Sequence, residues 1–137
     1  MILVDTSVLV DYLKGSDNAK TDLFDLVLEQ RLPYAITAYT YQEILQGARD
    51  ESEYKTLTDY LSTQIVFFLT EKINVYEKAA RMFYELRRKG RTPRSTIDIL
   101  IAMVAIENDL YLLHNDKDFD KIASVVEELK IFTYPVM

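Results

Sequence analysis

Ile2-Leu3-Val4-Asp5-Thr6-Ser7-Val8-Leu9-Val10-Asp11-Tyr12-Leu13-Lys14-Gly15 begins with an apolar triplet, breaks at an aspartate and continues as an amphipathic segment that stops at glycine. A short apolar run closed by an acid reads as a buried strand over residues 2–4 rather than as a helix. Thr6 or Ser7 then caps a short helix carrying Val8, Leu9, Tyr12 and Leu13, which Gly15 ends. The remaining sequence repeats this alternation of strand and helix.

Beyond Gly15, residues 21–29 carry Leu23, Leu26 and Val27 on one helical face, and Pro33 closes that helix. Strands are expected at Tyr34 to Thr37, Ile65 to Leu69, Tyr111 to Leu113 and Lys130 to Tyr134, from their β-branched and aromatic content. Helices are expected at about 40–49, 53–61, 71–89, 95–108 and 118–123. The helix ending Arg87-Arg88-Lys89-Gly90 has the cationic last turn and glycine stop that helix C-termini favour. Strands alternating with helices throughout imply an α/β fold: a three-layer α/β/α sandwich around a mostly parallel sheet of about five strands. No repeat, low-complexity tract or composition break marks a linker, so residues 1–137 are expected to form one domain.

Composition narrows the chemistry. The 137 residues contain 16 lysines and arginines against 22 acids, for a net charge of −6. The apolar fraction of 49% excludes a disordered chain. With no cysteine, thiolate zinc sites and cysteine nucleophiles are excluded, and a single histidine excludes multi-histidine metal sites. A metal in this chain has to be held by oxygen. No stretch approaches the roughly 20 apolar residues of a membrane span, and Met-Ile-Leu-Val-Asp lacks the basic start of a signal peptide. A cytoplasmic protein without membrane contact is expected.

Several carboxylates stand in unusual contexts. Asp5 and Asp116 follow strands, where parallel sheets place their ligands, although an aspartate there is also a common helix cap. Asp98 alone interrupts the apolar run from Ile97 to Ile106, and its neighbours one and two turns on are Ile101, Ala102 and Ala105. A first-turn acid gains only about 0.3–1 kcal/mol from the helix dipole, which does not explain a helix that is apolar all round. A carboxylate on such a helix needs a partner or a cation. Glu43 lies one turn before Gly47, a costly residue inside a helix, and reads either as a solvated glutamate or as a side chain beside which Gly47 leaves room for a neighbouring element. Asp116 and Asp118 together read as a polar turn capping the next helix, or as further members of the acidic set.

These segments resemble the PIN-domain ribonucleases, and among them the VapC-like toxins of toxin–antitoxin pairs. The resemblance rests on Val4-Asp5-Thr6-Ser7-Val8-Leu9, Gln42-Glu43-Ile44-Leu45-Gln46-Gly47, Asp98-Ile-Leu-Ile-Ala102 and Leu113-His-Asn-Asp116-Lys-Asp118-Phe119, in the family's order and spacing. It implies a PIN-like fold and a catalytic set of Asp5, Glu43, Asp98 and Asp116 that binds Mg²⁺, with Mn²⁺ able to substitute. Asp118 is expected beside them as a further metal ligand, and Ser7 fills the family's polar position next to the first aspartate. One departure is His114, which stands where the family commonly has threonine or serine. The resemblance further implies RNA as substrate, a homodimer, and a small VapB-like antitoxin that covers the groove and inserts a cationic side chain among the acids.

The chemistry is consistent with those residue types. Cleaving a phosphodiester requires an activated water and neutralised phosphoryl oxygens, both of which oxygen-bound Mg²⁺ or Mn²⁺ supplies. Without a cation, two carboxylates 4 Å apart repel by about 4 kcal/mol at an effective dielectric near 20. Arg87, Arg88, Arg91 and Arg94 precede the Asp98 helix and are candidates for RNA phosphate contacts, against the simpler reading of a solvated helix end. Other functions compete: an RNA-processing PIN protein without an antitoxin, a non-catalytic binding module, a receiver-like domain or an aspartate phosphatase. A receiver has two adjacent acids after its first strand, and the phosphatase a second aspartate two residues on. Here Asp5 is followed by Thr6 and Ser7.

Overall fold

Ile2, Leu3 and Val4 are buried and extended, and as β1 (Ile2–Val4) they occupy the centre of a five-stranded sheet. In the computed structural model, which describes residues 1–133, β2 (Tyr34–Thr37) lies on one side of β1 and β4 (Tyr111–Leu113) on the other. The edges are β3 (Val66–Phe67), beside β2, and β5 (Lys130–Ile131), beside β4. Every pairing is parallel, so the expected mostly parallel sheet is entirely so. Tyr134, the expected end of the last strand, lies outside the described residues.

The pleat of the central strands sorts side chains into two cores. Leu3, Ala35 and Leu112 face one side, covered by α5 (Ile73–Arg88), α6 (Thr96–Glu107) and α7 (Lys117–Ala123). Ile2, Val4, Ile36 and Leu113 face the other, covered by α1 (Thr6–Leu13), α2 (Ala19–Glu29), α3 (Ala38–Gln46) and α4 (Glu51–Leu61). This is the expected three-layer sandwich. The all-apolar run on α6 has a direct cause: Ile99, Ile101, Ala102, Met103, Val104 and Ala105 are all buried, leaving the helix no wide solvent face.

The element boundaries differ from the sequence expectation mainly where a side chain outside the helix supplies the cap. Asp5, not Thr6 or Ser7, is the N-cap of α1, and Asp116 is that of α7. Thr37 caps α3, starting that helix at Ala38 rather than Thr40. Asn18 forms a capping box with Thr21 and starts α2 at Ala19. The turn after α2 is made by Arg31, at φ 54°, ahead of Pro33, whose carbonyl accepts the Ile2 N–H. β3 is shorter than expected because only Val66 and Phe67 pair with β2.

Candidate metal centre

From β1 the chain passes to β2 on one side, while β4 lies on the other. The topology therefore switches direction between β1 and β4, and parallel sheets open a crevice at the carboxyl ends of such strands. Asp5 follows β1 and Asp116 follows β4, so the two flank this crevice. The Asp5 N–H donates to the Leu113 carbonyl at 2.9 Å, binding the two strand ends together.

Ser7 adds a second tie. Its hydroxyl donates to Asp5 Oδ2 at 2.7 Å and accepts the Asn115 N–H at 2.8 Å, while its own N–H reaches Asp5 Oδ2 at 3.0 Å. Asp5 is 4% exposed. Burial raises its carboxyl above the usual range and the charge of Glu43 adds to this, against the lowering effect of the Ser7 and Thr6 hydrogen bonds.

Glu43 projects from α3 and is itself exposed, yet it is held in place. Thr6 Oγ1 donates to Glu43 Oε1 at 2.8 Å and lies 2.9 Å from Thr40 Oγ1. Thr37 Oγ1 accepts the Thr40 N–H at 3.1 Å and lies 3.4 Å from the Thr40 hydroxyl. A hydroxyl has one proton and a carboxylate only accepts, so the chain runs in one direction: Thr37 donates to Thr40, Thr40 to Thr6, Thr6 to Glu43. The sequence reading missed Thr6, Thr37 and Thr40 in this role. The signal in the residue order is the spacing Thr37, Thr40, Glu43, which places the two hydroxyls and the carboxylate on successive positions of one helical face. Gly47 does not serve a neighbouring element. It is the C-cap of α3, and a Cβ there would meet only the carbonyls of Ile44 and Glu43 at ordinary distances of 3.4 and 3.7 Å.

Across the crevice, Asp98, Asp116 and Asp118 each bring a carboxylate oxygen to within 4.8 Å of the others. Asp98 sits in the first turn of α6. Burial, and then the charges of Asp116, Asp5, Asp118 and Glu43, push its pKa up to about 7. The other four acids of the sequence reading therefore all act on this one carboxyl. Asp116 Oδ1 accepts the Asp118 N–H at 2.9 Å and Arg94 Nη2 at 3.1 Å. Burial raises the Asp118 carboxyl, but bonds from Arg94 and Lys121 outweigh it, and the net shift is downward.

His114 occupies the position of the family's hydroxyl with a contact of its own. Its Nδ1 accepts the Asp116 N–H at 3.1 Å, which fixes the backbone at the turn carrying Asp116 and leaves the proton of the neutral ring on Nε2. Nε2 is buried without a hydrogen bond, 3.4 Å from Asp120 Oδ1, and burial holds the imidazole below its ordinary pKa. His114 thus supports the turn through Nδ1.

The basic stretch divides. Arg94 is bound to Asp116 and Asp118, whereas Arg88 meets Glu85 at 3.5 Å and Arg87 lies 6.0 Å from the Phe83 ring. All four arginines are exposed. A groove of about 490 Å³ lined by Arg94, Asn115, Asp116, Lys117, Asp118 and Lys121 adjoins the acids. The donors facing the crevice are carboxylate oxygens, and Asp98 takes no hydrogen bond from any described residue. An oxygen-only set with an uncompensated carboxylate suits a hard divalent cation such as Mg²⁺ or Mn²⁺. No helix among the described residues is long and apolar enough to cross a membrane.

Comparison with known proteins agrees with this architecture. A family profile described as the PIN domain matches residues 2–125. The chain is 33% identical over 126 residues to the VapC ribonuclease Mb1587 of Mycobacterium bovis, covering 91% of this chain and 93% of that protein. Ribonuclease VapC11 of Mycobacterium tuberculosis matches to the same extent. Among solved structures, VapBC2 from Rickettsia felis bound to a promoter DNA fragment superposes with a TM-score of 0.73 at 17% identity, over 96% of this chain and 98% of that one. DNA-bound VapBC from Salmonella typhimurium superposes at 0.72 and 21% identity, over 98% and 100%. With its parallel sheet, the acids gathered at the sheet's switch point and relatives of nearly its full length, the chain belongs to the PIN-domain family.

Proposed function

We propose that this protein is a metal-dependent endoribonuclease, the toxin of a VapBC-type toxin–antitoxin module, acting as one PIN domain in the cytoplasm. The observation that carries the reading is the meeting of Asp98, Asp116 and Asp118 carboxylate oxygens within 4.8 Å, with Asp98 left uncompensated and raised further by the charges of Asp5 and Glu43. Asp5, Glu43, Asp98 and Asp116 are the residues that hold Mg²⁺ or Mn²⁺. A bound ion of this kind supplies an activated water and neutralises charge on the phosphoryl oxygens. The protein's own contribution is positional. Ser7 orients Asp5, the Thr37–Thr40–Thr6 chain orients Glu43, and His114 fixes the turn that carries Asp116. Arg87, Arg88 and Arg91 stand exposed at and beyond the end of α5 to meet RNA phosphates without reading sequence.

The relatives named above are ribonucleases and toxin–antitoxin complexes, which supports the assignment of an RNA substrate and a VapB-like antitoxin. The same reading assigns a homodimer; separately, an apolar groove between α5 and α6 is lined in part by Tyr76, Ala80, Phe83, Tyr84, Ile99 and Leu100. The test is cleavage of end-labelled single-stranded RNA by the purified protein. Cleavage should require Mg²⁺ or Mn²⁺, stop with chelator, and fall about 100-fold or more in Asp98→Asn. Metal-independent cleavage, or an Asp98→Asn protein as active as the parent, overturns the reading.

A further inference from the structure

Asp118 differs from the other acids of the crevice in how fully its charge is already answered. It is 2% exposed, and both of its oxygens are occupied. Oδ2 accepts the Arg94 backbone N–H at 3.0 Å and the Arg94 Nε–H at 3.1 Å, and Oδ1 faces Lys121 Nζ at 3.2 Å. The same guanidinium extends Nη2 to Asp116 Oδ1 at 3.1 Å, and that oxygen also takes the Asp118 N–H at 2.9 Å. The result is a closed ring: Asp118 carboxylate, Arg94 guanidinium, Asp116 carboxylate, Asp118 backbone. Arg94 lies one residue before Ser95, the N-cap of α6, so the ring joins the loop that launches Asp98 to the turn that launches Asp116.

A carboxylate serves as a metal ligand through free lone pairs and uncompensated charge. Asp98 accepts no hydrogen bond from any described residue, whereas Asp118, although its oxygen lies within 4.8 Å of the other two, has three of its roughly four acceptor sites taken by Arg94 and Lys121 N–H groups and its charge answered by two cations. We propose that Asp118 is a positioning residue and not a metal ligand: it anchors Arg94, and through the Arg94 guanidinium ties the turn that carries Asp116 to the start of α6 before any ion binds. The proposal rests on the metal-centre reading and divides its aspartates into two kinds. Asp98 repels its neighbours until an ion arrives. Asp118 is paired before any ion arrives and stays paired afterwards.

The two kinds are expected to differ in sign. In chelator, Asp118→Asn should lower the melting temperature by about 5 °C or more, because charge-assisted bonds to a buried carboxylate are replaced by neutral ones. Asp98→Asn should raise it. Saturating Mn²⁺ should then raise the melting temperature of Asp118→Asn by about as much as that of the parent, and that of Asp98→Asn by much less. An Asp118→Asn protein that is stabilised in chelator, or that loses the Mn²⁺ gain, makes Asp118 a ligand and overturns the proposal. Arg94→Gln supplies an independent arm should Asp118→Asn fail to fold. It should also melt lower in chelator and keep its Mn²⁺ gain; an unchanged melting temperature overturns the anchor. A parent without any Mn²⁺ gain overturns the metal-centre reading instead, while the metal-free shifts still decide whether Asp118 anchors Arg94.

Discussion

Asp5 and Asp116 each do two things at once, and the first use conceals the second. Each caps a helix in the ordinary way, accepting the N–H two residues on, and each also presents its carboxylate to the crevice. Asp98 has no such cover. Its folded pKa of about 7 stands above the unfolded value of 3.8, so between those limits the folded state holds the proton more tightly than the unfolded chain. Asp98 therefore carries no penalty below about pH 4, and its cost to stability grows as pH rises toward 7. Asp5, also raised, acts in the same direction. In chelator, the stability advantage of Asp98→Asn over the parent should widen between pH 4 and pH 7, read by urea denaturation at each pH. A constant difference across that range would remove the cost of ionising Asp98, set by its burial first and by the neighbouring acids second, as the cause.

Among the elements, the site depends on how α1 and α3 are locked together at the end of the sheet. The hydroxyl chain crosses from α3 to α1 and delivers its last proton to Glu43, an exposed side chain on which sequence pattern confers no fixed direction. Thr40→Val keeps the branched shape but leaves the Thr37 hydroxyl without its acceptor and Thr6 without its donor. It should cost about 1–3 kcal/mol in chemical denaturation, while Thr40→Ser should cost much less. Equal stability of the two variants would mean that packing, not the hydroxyl, holds these helices. Capping also accounts for most boundary differences. Thr37, Asn18 and Asp50 each accept backbone N–H groups of the helix that follows, and such reach is decided by φ and ψ that no residue pattern specifies.

For the molecule as a whole, a chain of net charge −6 has to bring an anionic polymer to an acidic crevice. The exposed end of α5 offers the positive charge for this, and Arg94 is excluded from that role as long as it is bound to Asp116 and Asp118. Neutralising Arg87 and Arg91 together should weaken RNA binding across sequences. The slope of log affinity against log salt should flatten by about 0.7 for each phosphate of a single strand that is no longer neutralised. An unchanged slope would return the stretch to a helix end whose cations serve only the dipole.

The layer architecture was legible in the order of residues alone, because an alternation of short apolar runs with amphipathic segments has few ways to bury its surface, and one of those segments, 97–106, is apolar all round. The acids form a set only through the resemblance to PIN-domain ribonucleases; by residue pattern alone Asp98 stands out within that apolar run, and the others read equally as helix caps or solvated side chains. How their charges are distributed came only from the folded chain. Arg94 reads in the sequence as one of four like cations, yet the approach of the α6 loop to α7 binds it to two acids. Asp118 reads as a companion of Asp116, yet the same approach buries it and neutralises it. Hydrogen bonds between residues 24 or 37 positions apart depend on where the helices come to rest on the sheet, and local residue type carries no record of that distance.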